Sequence, residues 1–260
     1  MAPLLTLTPL PRMSKKALPA PLAKAILHIF ANCGRGVWLV GGTALAAYYA
    51  EHRRSDDIDL FAGNPDAFRA AVLAVKSLKG LGAELEHESQ SPLYYRAGIR
   101  FHGHEFNADV VLDEHVHAVG DAHKTQEGVV VASIQTLMAM KVACLVSRCS
   151  EKDLFDLDWL FAHAGEPAPA ELVELGSSMD AGLTVETLLI SLKGAMLRKD
   201  ACGFFLSGAR LTRNEVYKKV VALQKKLIHA LLEYEKSIPL SSDAAALRQA
   251  VKEMKKLMRK

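Results

Sequence analysis

The sequence predicts an α+β fold: a mixed α/β half followed by an all-helical half, with the boundary near Ala132. Three observations carry this. Up to Val131 the apolar residues come in short runs that alternate with polar ones or end at Gly, which is strand patterning. Beyond Ser133 the runs lengthen and take helical spacing. Half of the 260 residues are hydrophobic and 23% are charged, enough for a sizeable core and against wholesale disorder.

The elements follow in order. Residues 1–19 are interrupted by prolines and carry their basic residues after the apolar ones, the reverse of a secretory signal, so they read as a flexible tail. Ala20 to Asn32 has Leu22, Ile26, Leu27 and Phe30 near helical spacing, and Gly34 stops it. Gly36–Val40 is a short apolar strand ending at Gly41-Gly42, and the Ala- and Leu-rich stretch from Thr43 to His52 reads as a helix. Asp57–Phe61 alternates as a strand, and Asn64-Pro65 opens a helix to Ser77. Strands are expected over Glu84–Glu88, Leu93–Phe101 and Glu105–Leu112, the last two joined by a tight turn at His102-Gly103-His104, with a further strand at Gly128–Val131. Helices are expected over Ser133–Ser147, Glu151–Ala164, Ala168–Leu175, Val185–Leu197, Arg213–Glu235 and Asp243–Arg259. The domain expectation is a tail over 1–19, an α/β core over 20–132 and a helical domain over 133–260.

Composition narrows the function classes. No run of about 18 apolar residues is present, so no membrane span is expected and the protein reads as cytoplasmic. The four cysteines, Cys33, Cys144, Cys149 and Cys202, form no Cys-x-x-Cys pair and read as reduced thiols. His102/His104 and His115/His117 lack the Cys or acid that would complete a zinc pattern. No Gly-x-Ser-x-Gly supports Ser-His-Asp catalysis. The net charge of +3 hides an asymmetry: Arg213 to Lys260 holds twelve Lys or Arg against five Asp or Glu, and the rest is acidic. Lys218, Lys219, Lys225 and Lys226 lie largely off the apolar stripe of their helix. They are either a solvated face or a salt-sensitive contact for an RNA backbone.

The chemistry centres on Asp57 and Asp59. Side chains two apart on a strand share a face. At about 4 Å two like charges cost roughly 4 kcal/mol at an effective dielectric of 20. A divalent cation, a retained proton or open water relieves this, and the apolar neighbours Ile58, Leu60 and Phe61 argue against open water. Hard carboxylate oxygens suit Mg²⁺ or Mn²⁺. Asp109 sits in a second apolar strand, on the face of Asn107 and Val111, and can complete a three-acid site if that strand neighbours the first. Gly41-Gly42-Thr43, between a strand and a helix, offers a phosphate cradle with the Thr43 hydroxyl as an added donor, or only a turn. Lys141 falls on the apolar stripe of its helix and Arg148 two turns on, so both either meet an anion such as a nucleoside triphosphate or snorkel to water. Ser150-x-x-Asp153 is a helix start, so Asp153 can be only a cap, and Asp156 one turn on can orient Lys141 or Arg148.

Gly41-Gly42-Thr43-Ala44-Leu45 followed by His52-Arg53-Arg54-Ser55-Asp56-Asp57-Ile58-Asp59-Leu60-Phe61 resembles the first motif of AbiEii/AbiGii-type nucleotidyltransferases, in the DNA polymerase β-like superfamily. Ala139-Met140-Lys141, Arg148 and Lys152-Asp153-Leu154-Phe155-Asp156-Leu157 resemble its second block, and the two together span about residues 37–161. The resemblance implies a polymerase β-like mixed sheet and a Mg²⁺-dependent transfer of a nucleoside monophosphate from an NTP to an acceptor hydroxyl on RNA (a tRNA end among them), a protein or a small molecule. It implies catalytic and metal-binding roles for Asp57 and Asp59, with Asp109 as the third ligand by the strand reading above. It places Gly41, Gly42, Thr43, Ser55, Lys141, Arg148, Lys152, Asp153 and Asp156 around the nucleotide. It also implies a toxin–antitoxin or abortive-infection role with a cognate antitoxin, the alternative being a catalytically silent nucleotide- or RNA-binding module.

Overall fold

The computed structural model describes residues 7–114, 116–238 and Met254. The helix expected over Asp243–Arg259 lies outside these apart from Met254, as does His115. The chain runs α1 (Ala20–Asn32), β1 (Val37–Val40) and α2 (Gly41–Leu45), which widens into a π-helical turn over Ala46–Ala50. Next come β2 (Asp57–Ala62), α3 (Pro65–Lys76), a 3-10 turn over Ser77–Leu81, β3 (Glu84–Gln90), β4 (Tyr94–Phe101) and β5 (His104–Leu112). The short elements α4 (Val116–Val119), β6 (Ala122–Lys124) and β7 (Val130–Ala132) lead to α5 (Ile134–Ser147), α6 (Glu151–Ala164), α7 (Pro169–Ser177), α8 (Val185–Gly194) and α9 (Arg213–Ser237). Caps explain the helix starts. Asn64 accepts the Ala67 N–H with Pro65 at the first helical position, Ser150 and Asp153 cap each other reciprocally, and Thr212 pairs with Glu215 in the same way.

The fold is α+β. Seven strands form one mixed sheet in the order β3-β4-β5-β2-β1-β7-β6. β2 runs parallel to β5 and β1 parallel to β7, and the other neighbours are antiparallel. Alternation sets what each face carries. Ile58, Leu60, Ala97, Ile99, Ala108 and Val110 are buried on the face covered by α1 and α3. The other face carries Asp57, Asp59, Asn107, Asp109, Arg96 and Arg100. α2 covers that face over β1 and β2, with α5 and α6 packed on α2 behind it, and all four residues of β1 are buried. Over β4 and β3 it is open, with Arg96, Arg100, Glu84 and Glu86 exposed. The acids therefore sit where the helical cover ends.

The apolar core runs without a break from Met13 to Leu231. The segment before α1, expected to be a flexible tail, is packed over part of its length. Met13, Ala17 and Leu18 are buried, and the Leu10 and Ser14 N–H groups donate to the carbonyls of Tyr48 (2.6 Å) and Ala47 (2.9 Å). Burial of these apolar side chains outweighs the loose reading that the prolines encouraged.

Candidate active site

The parallel register of β2 and β5 sets Asp59 beside Asp109 and Asp57 beside Asn107. Neighbouring residues on one rung of a sheet point to the same face, so the three acids converge on one patch of it. Asp57 Oδ1 accepts from the Asn107 side-chain amide at 3.0 Å and from its backbone N–H at 3.4 Å. Asp109 Oδ1 accepts the Tyr94 hydroxyl, and Arg96 Nε lies 3.8 Å away. Burial pushes the Asp59 carboxyl up to about 6, against the pull of the Lys141 charge and with the help of the Asp57 and Asp109 carboxylates. A cavity of about 430 Å³ adjoins Asp57 on the open face, between Asn107, Gly98, Arg100 and Glu105.

The turn after β1 is packed against these acids. Gly41 has φ +69°, and a Cβ there would collide with Asp59 Oδ2, so glycine lets the carboxylate lie on the backbone. A Cβ on Gly42 would collide with Arg53 Nη2. The Thr43 hydroxyl is fully buried. It donates to the Asp57 carbonyl and shares a hydrogen bond of 2.7 Å with Ser55. Thr43 and Ser55 thus fix the start of β2, and the hydrogen that the sequence offered to a phosphate is used inside the chain.

Behind Asp59 lies a buried ionic network that joins the two halves. Asp156 accepts from Arg53 Nε at 2.5 Å and Nη2 at 2.8 Å, from His52 Nε2 at 2.8 Å and from Lys141 Nζ at 2.8 Å. Lys141 also reaches Asp153 at 2.9 Å, and Arg148 grips Asp153 with Nε at 2.8 Å and Nη2 at 2.9 Å. Burial alone would raise both carboxyls, but Arg53 and Lys141 hold Asp156 well below the usual carboxylate range, and Lys141 and Arg148 do so for Asp153. Burial lowers His52, whose ring stacks on Phe155 and whose Nδ1 has no partner among the described residues.

The structure thus brings Asp57, Asp59 and Asp109 together and sets Gly41 against them. Lys141, Arg148, Asp153 and Asp156 bond one another, with Asp153 both the helix cap and an ion-pair partner. Lys152 is half-exposed on the first turn of α6 and has no hydrogen bond or ion pair among the described residues. The sequence reading quoted His52 and Arg53 within the first motif and Asn107 on the face of Asp109 but gave none of them a role, and it did not name Tyr94 or Arg96. Two of the four lysines singled out on α9 pair with acids of α6 and its following loop: Lys219 lies 3.5 Å from Asp158 and Lys226 2.5 Å from Glu166. Among the described residues no group of three or more His, Cys, Asp or Glu stands close enough together, as the side chains lie, to hold a metal ion, and no helix is long and apolar enough to cross a membrane.

A family profile described as nucleotidyl transferase AbiEii toxin, type IV TA system, matches residues 30–200. No curated protein matches the chain. Among solved structures, MenT4, a nucleotidyltransferase toxin from Mycobacterium tuberculosis, shares the fold at 14% identity and a TM-score of 0.51, over 87% of this chain and 85% of that one. JHP933 from Helicobacter pylori matches at 19% identity and a TM-score of 0.47, over 83% of this chain and 93% of that one.

Proposed function

The chain belongs to the AbiEii nucleotidyl transferase toxin family, and from that premise we propose that it is a divalent-cation-dependent enzyme moving a nucleoside monophosphate from an NTP to an acceptor hydroxyl. The observation that carries this is the placing of Asp57, Asp59 and Asp109 on adjoining rungs of one sheet face, at the edge of the helical cover. The donor set fits a hard cation such as Mg²⁺ or Mn²⁺: three carboxylates, one raised by burial and by the other two. Asp57, Asp59 and Asp109 would hold it. When bound, the cation would neutralise the carboxylates and the charge of the transferring phosphoryl group.

The chain's own groups do the rest. Asp109 takes the proton of the acceptor hydroxyl as its oxygen bonds the α-phosphorus, while the bond from that phosphorus to the β-phosphate oxygen breaks and pyrophosphate leaves. Asp57, held by Asn107, and Asp59, held against Gly41, keep their carboxylates facing the cleft. Lys141 acts on Asp59 by its charge from within the network, whereas Arg148, held to Asp153 by Nε and Nη2 but with a side chain 61% exposed, offers its Nη1 to the triphosphate. The acceptor is RNA, a tRNA end included, or else a protein or small-molecule hydroxyl. In this reading residues 20–132 form the transferase core and 133–260 the helical domain, and the enzyme is a cytoplasmic toxin restrained by an antitoxin.

Incubation with each α-labelled NTP, Mg²⁺ and total RNA, followed by a gel, tests this: the labelled product names donor and acceptor. Asp57→Ala and Asp59→Ala are expected to lose transfer to background while the circular dichroism spectrum persists. Transfer at the wild-type rate by both variants refutes the assignment. Nucleotide binding by calorimetry without product would favour the silent module. Growth arrest on expression, relieved by a neighbouring gene, would support the toxin role.

A further inference from the structure

One rung of the sheet carries Arg96, Asp109 and Asp59 side by side on β4, β5 and β2. Tyr94 stands two residues before Arg96, on the same face of β4. Its neighbour Tyr95 is fully buried on the opposite face and fills the core. Tyr94 is only half-buried, and its hydroxyl donates to Asp109 Oδ1. Arg96 Nε lies 3.8 Å from that same oxygen. Among the described residues nothing bonds Asp109 Oδ2. One hydrogen bond and one guanidinium charge on the same oxygen restrict the torsions of a short side chain and leave its second oxygen available.

We propose that Tyr94, with Arg96 beside it, is a positioning residue that holds Asp109 Oδ1 so that Oδ2 is presented to the cation and the acceptor. This rests on the reading of Asp57, Asp59 and Asp109 as cation ligands. A ligating carboxylate is oriented by the hydrogen bonds behind it, and losing such a partner typically weakens metal binding by about 10–100-fold.

The test uses Mn²⁺ alone, without nucleotide, titrated into the full chain and followed by the electron paramagnetic resonance of the free ion. Wild type is compared with Asp109→Asn, Tyr94→Phe and Leu93→Ala. Leu93 stands just before Tyr94, is 60% exposed and meets Leu112 of β5 through its backbone, so its variant controls for general damage to β4. Tyr94→Phe keeps the ring and is expected to melt within a few degrees of wild type. The expected result is Mn²⁺ binding by wild type, strong weakening in Asp109→Asn, roughly tenfold weakening in Tyr94→Phe and none in Leu93→Ala. Unchanged affinity in Tyr94→Phe beside a weakened Asp109→Asn overturns the positioning role and leaves the proposed activity intact. Absence of Mn²⁺ binding by wild type, or binding indifferent to Asp109→Asn, overturns the cation reading and this inference with it.

Discussion

Asp156→Asn tests the claim that the ionic network holds the halves together. Asn keeps the shape of Asp but removes a charge that meets Arg53, His52 and Lys141 at 2.5–2.8 Å. Arg53 is 2% exposed and Lys141 3%, so neither cation can turn to water. After the change Asp153 is the acid left bonded to Lys141, its two oxygens already shared with Arg148, and Asp59 acts on the cations only through its charge. Removing one partner of a buried ion pair costs about 3–5 kcal/mol. In a chain of this size that lowers the melting temperature by roughly 10 °C. Asp153→Asn should cost less, because Arg148 is 61% exposed and Lys141 keeps Asp156. The assay is urea unfolding followed by tryptophan fluorescence, since Trp159 lies 5.9 Å from the His52 ring, between centroids. Lys141→Met combined with Asp156→Asn should cost less than the sum of the single changes, because the pair leaves one buried cation fewer without a partner. A loss below about 1 kcal/mol in Asp156→Asn, or strict additivity of the pair, refutes the argument.

Two further outcomes come from the same contacts. Gly41→Ala should destabilise more than Gly42→Ala: φ is positive at 41 and the new methyl meets Asp59 down to its Cβ, whereas at 42 it meets only the guanidinium end of Arg53, held by Asp156. An unchanged melting temperature in Gly41→Ala would contradict the close packing of Asp59 on this turn. The stability deficit of Asp156→Asn should also depend on pH. Asp156 and Asp153 bind protons less readily folded than unfolded, so their contribution is complete above the ordinary carboxylate range and lost as pH falls below it. The gap between wild type and variant should thus be widest near neutrality and narrow below about pH 4. A constant gap across that range contradicts the assignment.

The long elements were legible because their periods are long enough to read: α1, α3, α5, α6 and α9 begin within a residue of where spacing and caps placed them. α4 and β6, of four and three residues, are too short to show a period. The pairing of Asp59 with Asp109 needed one fact that spacing does not carry, that β5 lies beside β2. The neighbours of Asp109 on the other side were nearer to hand. The tight turn at His102-Gly103 sets Phe101 against His104, and counting back along both strands puts Arg96 against Asp109 and Tyr94 on the same face. Arg53 could not be found in that way. Its partner Asp156 is 103 residues distant, and the contact depends on α6 docking beside α2. The same docking turns Lys141 toward Asp153 and Asp156 rather than toward open space, which the helical stripe alone left undecided.

The network explains why charge, rather than apolar filling, occupies this seam. Apolar residues of equal volume would join the halves with no smaller stability, since buried ion pairs scarcely repay their desolvation. What they could not provide is potential. Arg53, Lys141 and Arg148 face two carboxylates, Asp153 and Asp156, so one positive charge is left in excess beside Asp59. That excess opposes the rise that burial and the two neighbouring acids impose on Asp59. It comes from residues on both sides of the seam: Arg53 ahead of β2, Lys141 in α5 and Arg148 at its end. The carboxylate site therefore acquires its charge balance only when the helical half is docked on the sheet, which makes docking part of how the site is built.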